Sequence, residues 1–115
     1  MRGSIWNLTK MRNVKLVVFV PESHTSIVRE AMGKAGAGKI GNYDFCTFST
    51  KGIGRFKPND KANPHIGEAG KLEEVVEERI ETVCPREMLA DVVKAIKAVH
   101  PYEEVAYDVY PLETI

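Results

Sequence analysis

The sequence predicts a small α+β domain, and three observations support this prediction. Lys15–Val20 is a nearly continuous apolar run rich in β-branched residues, which is typical of a central strand. Two later stretches, Ser23–Ala35 and Pro85–Val99, place apolar residues at helical spacing. Glu104–Tyr110 reads as a strand that closes the domain. We therefore expect strands at both ends of the domain and two half-buried helices between them.

The first strand and the first helix have clear boundaries in the sequence. Pro21 ends the strand, because proline lacks the N–H that a continuing ladder needs. Ser23 or Thr25 can cap the start of the helix, and Gly36 stops it. The buried stripe of this helix consists of Ile27, Val28, Ala31, Met32 and Ala35.

The middle of the chain predicts a strand followed by a long loop. Successive side chains of Tyr43–Thr50 alternate between two faces, which predicts a strand with substantial side chains on both faces. Gly52–Gly70 contains several glycines, two prolines and many polar residues, so we expect a long arm or loop there.

The segment Leu72–Val83 is ambiguous between helix and strand. Its apolar residues fit helical spacing better than strict alternation. However, many of them are β-branched, and Pro85 stands at a natural first position of the following helix, with almost no connecting turn. Residue patterns alone leave both alternatives open.

The second helix ends at His100, since Pro101 cannot continue it and disfavours helical geometry in the residue before it. His100 has a structural interpretation, in which a protonated ring interacts favourably with the negative end of the helix dipole. It also has a functional one, in which a neutral ring acts as ligand or base beside Glu103 and Glu104.

If Leu72–Val83 is a strand, the order is β-α-β-β-α-β, the ferredoxin-like arrangement with an antiparallel sheet and both helices on one face. The first strand is then the antiparallel neighbour of the last, so His24 should lie close to the turn from His100 to Glu104. The loop between the second and third strands emerges at the same edge. It brings basic residues and a histidine within reach, namely Lys51, Arg55, Lys57 and His65.

Composition restricts the function classes. The chain has 115 residues, 43% hydrophobic and 28% charged, with a formal net charge of zero, as expected for one folded soluble domain. The balanced charge argues against sequence-independent binding to nucleic acid. There is no apolar run of membrane-spanning length and no signal peptide pattern, so we predict a cytoplasmic protein that binds neither membrane nor nucleic acid.

Two further features bear on domain limits and thiol chemistry. The start Met1-Arg2-Gly3-Ser4 resembles an expression leader, so we assign residues 1–12 to a leader and residues 13–115 to a single domain. Cys46 and Cys84 are far apart and do not form a CxxC pair, which favours reduced, semi-buried thiols over a disulfide or a zinc site.

The glycine loop Gly36–Gly41 matches G-x-G-x-x-G literally, yet it does not predict dinucleotide binding. That fingerprint needs a strand before it and a helix after it, so that the pyrophosphate meets a helix N-terminus. Here the order is helix, loop, strand. We interpret these glycines as a capping turn that reverses the chain.

The histidine and glutamate edge is a candidate metal site. Imidazole with carboxylates suits zinc or another divalent transition metal, and we predict His24, His100, Glu103 and Glu104 as its ligands. Each residue also has a purely structural interpretation, as a helix-end hydrogen bond or a solvated strand entry.

The basic arm gives a second candidate site. Lys51, Arg55 and Lys57, with Phe56 among them, could bind a small effector such as a phosphorylated molecule. The alternative is a solvated flank of a hairpin.

Several motifs together resemble one known family. They are Pro21-Glu22-Ser23-His24, Ala35–Tyr43, Gly52–Pro58, Glu78–Glu81 and the final HPYEEVAYDVYPL from His100 to Leu112. From about Lys15 to Leu112 the chain resembles the domain inserted into many bacterial Ngg-interacting-factor-three-like (NIF-three-like) proteins, here in a stand-alone form.

That inserted domain is similar to the CutA and PII signalling proteins, which are ferredoxin-like and assemble as trimers. The resemblance therefore implies a strand for Leu72–Val83 and a homotrimer, and by analogy with PII an effector held between the arm and a neighbouring subunit. Larger family members carry a flanking domain with two metal ions. No counterpart of that domain is found in these residues, so the resemblance transfers no hydrolase or cyclohydrolase activity.

We therefore predict a non-catalytic binding or regulatory module that binds a small effector, a divalent metal or a protein partner. The alternative from a different class is a small metal-dependent hydrolase that uses the edge formed by His24, His100, Glu103 and Glu104.

Overall fold

Four strands and two helices make up the fold in the computed structural model, which describes residues 12–113. The strands are β1 (Asn13–Pro21), β2 (Phe48–Phe56), β3 (Glu73–Pro85) and β4 (Tyr107–Pro111). The helices are α1 (Thr25–Lys34) and α2 (Leu89–Val99), each preceded by a short 3-10 turn. The predicted leader, residues 1–12, lies outside the described residues except for Arg12.

The strands form one antiparallel sheet in the order β2-β3-β1-β4. Val18 of β1 lies opposite Ile80 of β3 on one side and Tyr107 of β4 on the other. The element order is β-α-β-β-α-β, so the predicted ferredoxin-like fold is confirmed. Leu72–Val83 lies almost entirely within β3, which is the strand that the family resemblance implied.

The hydrophobic core lies between the helices and one face of the sheet. Alternate residues of β1 enter it, because successive side chains of a strand point to opposite faces. The core combines these residues with the apolar stripes of both helices, and its main members are Val14, Leu16, Val18, Val20, Val28, Met32, Ile80, Val92 and Ile96. Phe19, Glu77 and Phe56 point to the opposite face, which we call the open face. Neither helix packs on it.

The predicted strand Tyr43–Thr50 is wrong in its first half. Ile40 and Tyr43 close a tight turn on each other, and Phe45 adopts a left-handed backbone with φ 59°. The Phe45 ring packs against Gly33 of α1 instead of entering the sheet. Strand β2 therefore begins only at Phe48.

Strand β2 also runs further than expected, through part of the predicted arm Gly52–Gly70. Gly52 and Gly54 pair with Glu77 and Val75 of β3, so these glycines belong to the ladder. The loop itself covers residues 57–72, and we call it the arm.

Two other boundaries differ from the prediction. Pro85 does not open a helix, because it is the last residue of β3, paired with Asn13, and the turn Arg86–Met88 comes before α2. Strand β4 starts at Tyr107, so Glu104 lies in the loop before it. No helix in the described part of the chain is long and apolar enough to cross a membrane.

Candidate functional site

The candidate site lies at the end of the sheet where β1 finishes and β4 begins. His24 lies at the start of α1 and His100 at the end of α2, so the antiparallel β1–β4 pair brings both helix ends to this edge. The arm returns to the same edge with His65. All three histidines of the chain are thus near one another.

His100 is held by two backbone groups. The Tyr102 N–H donates to Nδ1 at 3.1 Å, so the ring proton is assigned to Nε2, which donates to the Phe19 carbonyl at 2.8 Å. His100 is only 7% exposed. Burial lowers the pKa of this imidazole, although the Phe19 carbonyl and Glu77 oppose that shift. The ring is therefore neutral and joins the end of α2 to β1.

Tyr102 extends this connection to β3. Its hydroxyl donates to Oε2 of Glu77 at 2.9 Å, and its ring lies 5.1 Å from that of His100. Burial, followed by the hydrogen bond to Glu77, raises the pKa of the Tyr102 phenol above its ordinary value. A hydrogen-bonded chain thus runs from the Phe19 carbonyl through His100 and Tyr102 to Glu77.

Glu77 is a buried carboxylate, 9% exposed, on the open face of the sheet. It packs directly over Gly54 of β2, where a Cβ would overlap its carboxylate. Sequence reasoning does not identify Glu77 or Tyr102 as site residues. Two signals could have pointed to them, namely glycine within a strand, which often marks a close approach, and an aromatic residue two positions after a helix-terminating histidine.

The predicted metal ligands lie at the same edge but form no ligand cluster. His24 faces His65, with ring centroids 6.0 Å apart, and its Nδ1 is 2.7 Å from the Ser23 hydroxyl. Within residues 12–113, no group of three or more histidine, cysteine, aspartate or glutamate side chains is placed to hold a metal ion. A metal at His100 would have to displace one of its two hydrogen bonds. Metal binding stays a prediction.

Glu103 and Glu104 are exposed in the loop before β4. Oε1 of Glu103 accepts a hydrogen bond from the Asn63 backbone N–H at 2.7 Å. This bond links the arm to the segment that follows His100. The Phe56 ring packs 6.0 Å from that of Tyr102 at 60°, which also fixes the root of the arm.

Between the arm and the open face lies a cavity of about 300 Å³, which we call the arm cavity. Its floor comes from Phe19, Gly54 and Glu77, and its walls include Phe56, His65 and Tyr102. Glu103 and Glu104 also line it. The cavity is thus a concave site with aromatic walls and a few polar groups, as is usual for small-molecule sites.

The three predicted effector-binding residues have different positions. Arg55 and Lys57 line the arm cavity. Arg55 is paired with Glu74, Nε to Oε2 at 2.6 Å. Lys51 lies outside this cavity, and its Nζ is 3.6 Å from Oε2 of Glu22. Lys57 forms no ion pair within residues 12–113.

Neither cysteine offers an activated nucleophile at this edge. Both are free, as predicted, and Cys84 is buried at the opposite end of β3. Burial raises the pKa of the Cys84 thiol to about 11, so it is protonated near neutral pH.

Comparison with known proteins places this geometry in a family context. The chain is 58% identical over 98 residues to a protein of Halalkalibacterium halodurans, and 56% identical over 99 residues to one of Bacillus subtilis, each named GTP cyclohydrolase 1 type 2 homolog. A Bacillus cereus protein related to NIF3 superimposes with a TM-score of 0.78 at 52% identity over 90% of this chain. The chain is homologous to one segment of the NIF3-like proteins. No protein-family model matches it.

The homologous segment is only part of these relatives. The two sequence matches include 85% and 86% of this chain but only 26% of the length of each relative. It likewise covers 26% of the Bacillus cereus structure.

More distant structures share the fold of this NIF3-like segment over most of their length. CutA from Archaeoglobus fulgidus has a TM-score of 0.65 at 16% identity, with 89% of this chain and 85% of that protein covered. The PII-like protein CutA from Nostoc has a TM-score of 0.63 at 13% identity, with 87% and 81% covered. The CutA/PII-like fold is thus confirmed for this segment.

Proposed function

We propose that this NIF3-like segment is a non-catalytic binding module that holds a small effector in the arm cavity. The observation that supports this best is the cavity itself, which lies between the open face and an arm tied down by the bond from Asn63 to Glu103. A site largely formed before the ligand arrives spares the entropy of ordering loops on binding.

The edge residues support a structural role for the buried histidine in preference to catalysis. A general base needs a ring nitrogen available to take a proton, whereas both nitrogens of His100 face backbone groups. The activity in the relatives' name is not transferred, because the chain spans about a quarter of their length. Turnover by the purified chain with added divalent metal, lost on His24→Ala, would instead support the hydrolase alternative.

Filling the cavity should abolish ligand binding. Ala62 lies in the arm and lines the cavity, so Ala62→Trp places an indole in the space a ligand needs. We expect phenethyl alcohol, a small neutral aromatic probe, to bind the wild-type protein in a calorimetric or NMR titration. Its affinity should fall at least tenfold in Ala62→Trp.

The matched control is Ala98→Trp, which adds the same side chain at an exposed position of α2. This variant should bind the probe like the wild type. Equal binding of the probe by the wild-type protein and the Ala62→Trp variant would contradict the proposed site.

The module is proposed to act as a homotrimer. Large apolar side chains remain exposed along the sheet, including Phe48 at 69% and Tyr110 at 43%, and both helices pack on the other face. Burying such side chains against further copies would remove their contact with water. The likeness to CutA and PII-like folds is consistent with this assembly.

Light scattering on the purified protein tests the assembly. We expect a mass three times that of the 12.8 kDa chain at micromolar concentration. A mass equal to that of one chain would reject the trimer.

A further inference from the structure

We propose that the arm cavity binds a small organic cation, a primary amine or a guanidinium group carried on an apolar or aromatic body. This inference rests on the function proposed above, because it names the class of ligand for the same cavity.

The charges around the cavity favour a cation. Three carboxylates line it, those of Glu77, Glu103 and Glu104. None of them forms an ion pair within the described part of the chain. Of the two lining cations, Arg55 is paired with Glu74, and the nearby Arg79 is paired with Glu81. Lys57 is therefore the lining cation that opposes the three negative groups. The potential inside the cavity is therefore negative, which attracts cations and repels anions.

The aromatic walls favour a cation as well. The rings of Phe56 and Tyr102 meet at 60° with centroids 6.0 Å apart, so they form a corner at the cavity wall. Aromatic ring faces attract cations. The Tyr102 hydroxyl donates to the Glu77 carboxylate, which makes its ring more electron-rich. On the same open face, the guanidinium of Arg79 already lies 5.7 Å from the Phe19 ring centroid.

The cavity suits an organic cation better than a bare metal ion. Metal ions need several ligand atoms at about 2.0–2.6 Å around one point. The structure shows no such group of three among residues 12–113. A cavity of about 300 Å³ with aromatic walls instead matches a cation that brings its own apolar body.

Three probes of nearly equal size test the charge preference. They are phenethylamine, which is cationic, phenethyl alcohol, which is neutral, and phenylacetate, which is anionic, each titrated at low ionic strength. We expect phenethylamine to bind about tenfold tighter than phenethyl alcohol, and phenylacetate to bind more weakly than either.

A charge variant tests the same inference without changing the cavity's shape. Glu104→Gln should weaken phenethylamine binding about threefold to tenfold and leave phenethyl alcohol binding unchanged. The control is Glu87→Gln, since Glu87 lies in the turn before α2, at the opposite end of β3. That variant should bind all three probes like the wild type.

The outcomes separate the two proposals. If phenethyl alcohol or phenylacetate binds as tightly as phenethylamine and Ala62→Trp weakens that binding, the cation preference is wrong while the proposed site stands. If none of the three probes binds the wild-type protein, both proposals fail.

Discussion

We expect His100→Ala to lower the free energy of unfolding by about 2–4 kcal/mol. The substitution removes the donor to the Phe19 carbonyl and the acceptor for the Tyr102 N–H, and it leaves a void where a buried ring was packed. Urea denaturation followed by circular dichroism measures the change. His65→Ala is the matched control, since His65 is exposed in the arm, and it should change stability by less than about 0.5 kcal/mol. Equal effects of the two substitutions would contradict the structural role of His100.

The same histidine should make stability depend on pH. Burial lowers the pKa of His100 in the folded protein below its ordinary value of 6.5. The unfolded chain therefore binds the proton more readily than the folded protein does. The full stabilising contribution of neutral His100 is therefore present above about pH 6.5. It decreases as the pH falls from there toward the folded-state pKa. Between pH 7.5 and 5.5, the free energy of unfolding should decrease less in His100→Gln than in the wild-type protein, because glutamine does not titrate. In His65→Gln it should decrease as much as in the wild type.

Gly54→Ala should destabilise the protein by about 2–3 kcal/mol, measured by the same denaturation experiment. The new Cβ would overlap the Glu77 carboxylate, so Glu77 must move away from the Tyr102 hydroxyl or β2 must shift. We also expect ligand binding in the arm cavity to weaken, because both Gly54 and Glu77 line it.

Gly52→Ala is the control for this substitution. Gly52 lies two residues earlier on the same face of the same strand, and a Cβ there would meet no atom within 4 Å. Alanine is better than glycine in a strand, so Gly52→Ala should be neutral or stabilising by up to about 1 kcal/mol. If the two alanine variants have the same stability, the Glu77 carboxylate does not need the space above Gly54.

Residue patterns predicted most of the fold, whereas β3 was assigned as a strand only through the family resemblance; the two together predicted the edge at which the site lies. The apolar run of β1, the two helical stripes and the stop at Pro101 identify their elements directly. With β3 assigned as a strand, topology then brings His24 close to His100. Local pattern was misleading where tertiary contacts decide the conformation. Phe45 leaves the expected strand and packs on Gly33, and Gly54 pairs with Val75 within β2, where the absence of a side chain leaves room for Glu77.

The site itself was harder to predict for the same reason. Glu77 is one of several glutamates in β3, and its burial depends on its packing over Gly54 of β2 and on the hydrogen bond from Tyr102. Neither relation is local in sequence. The carboxylates at Glu103 and Glu104 were singled out as metal ligands, whereas in the structure they line a cavity together with aromatic rings.

The most direct test of the binding function is the map of amide shifts in a nitrogen-15 NMR spectrum during titration with phenethylamine. We predict saturable shifts centred on Gly54, His65 and Tyr102, at the arm cavity, and their loss in the Ala62→Trp variant. Shifts centred on the exposed surfaces of α1 and α2, or a spectrum unchanged by millimolar probe, would contradict the assignment of the arm cavity as the ligand site.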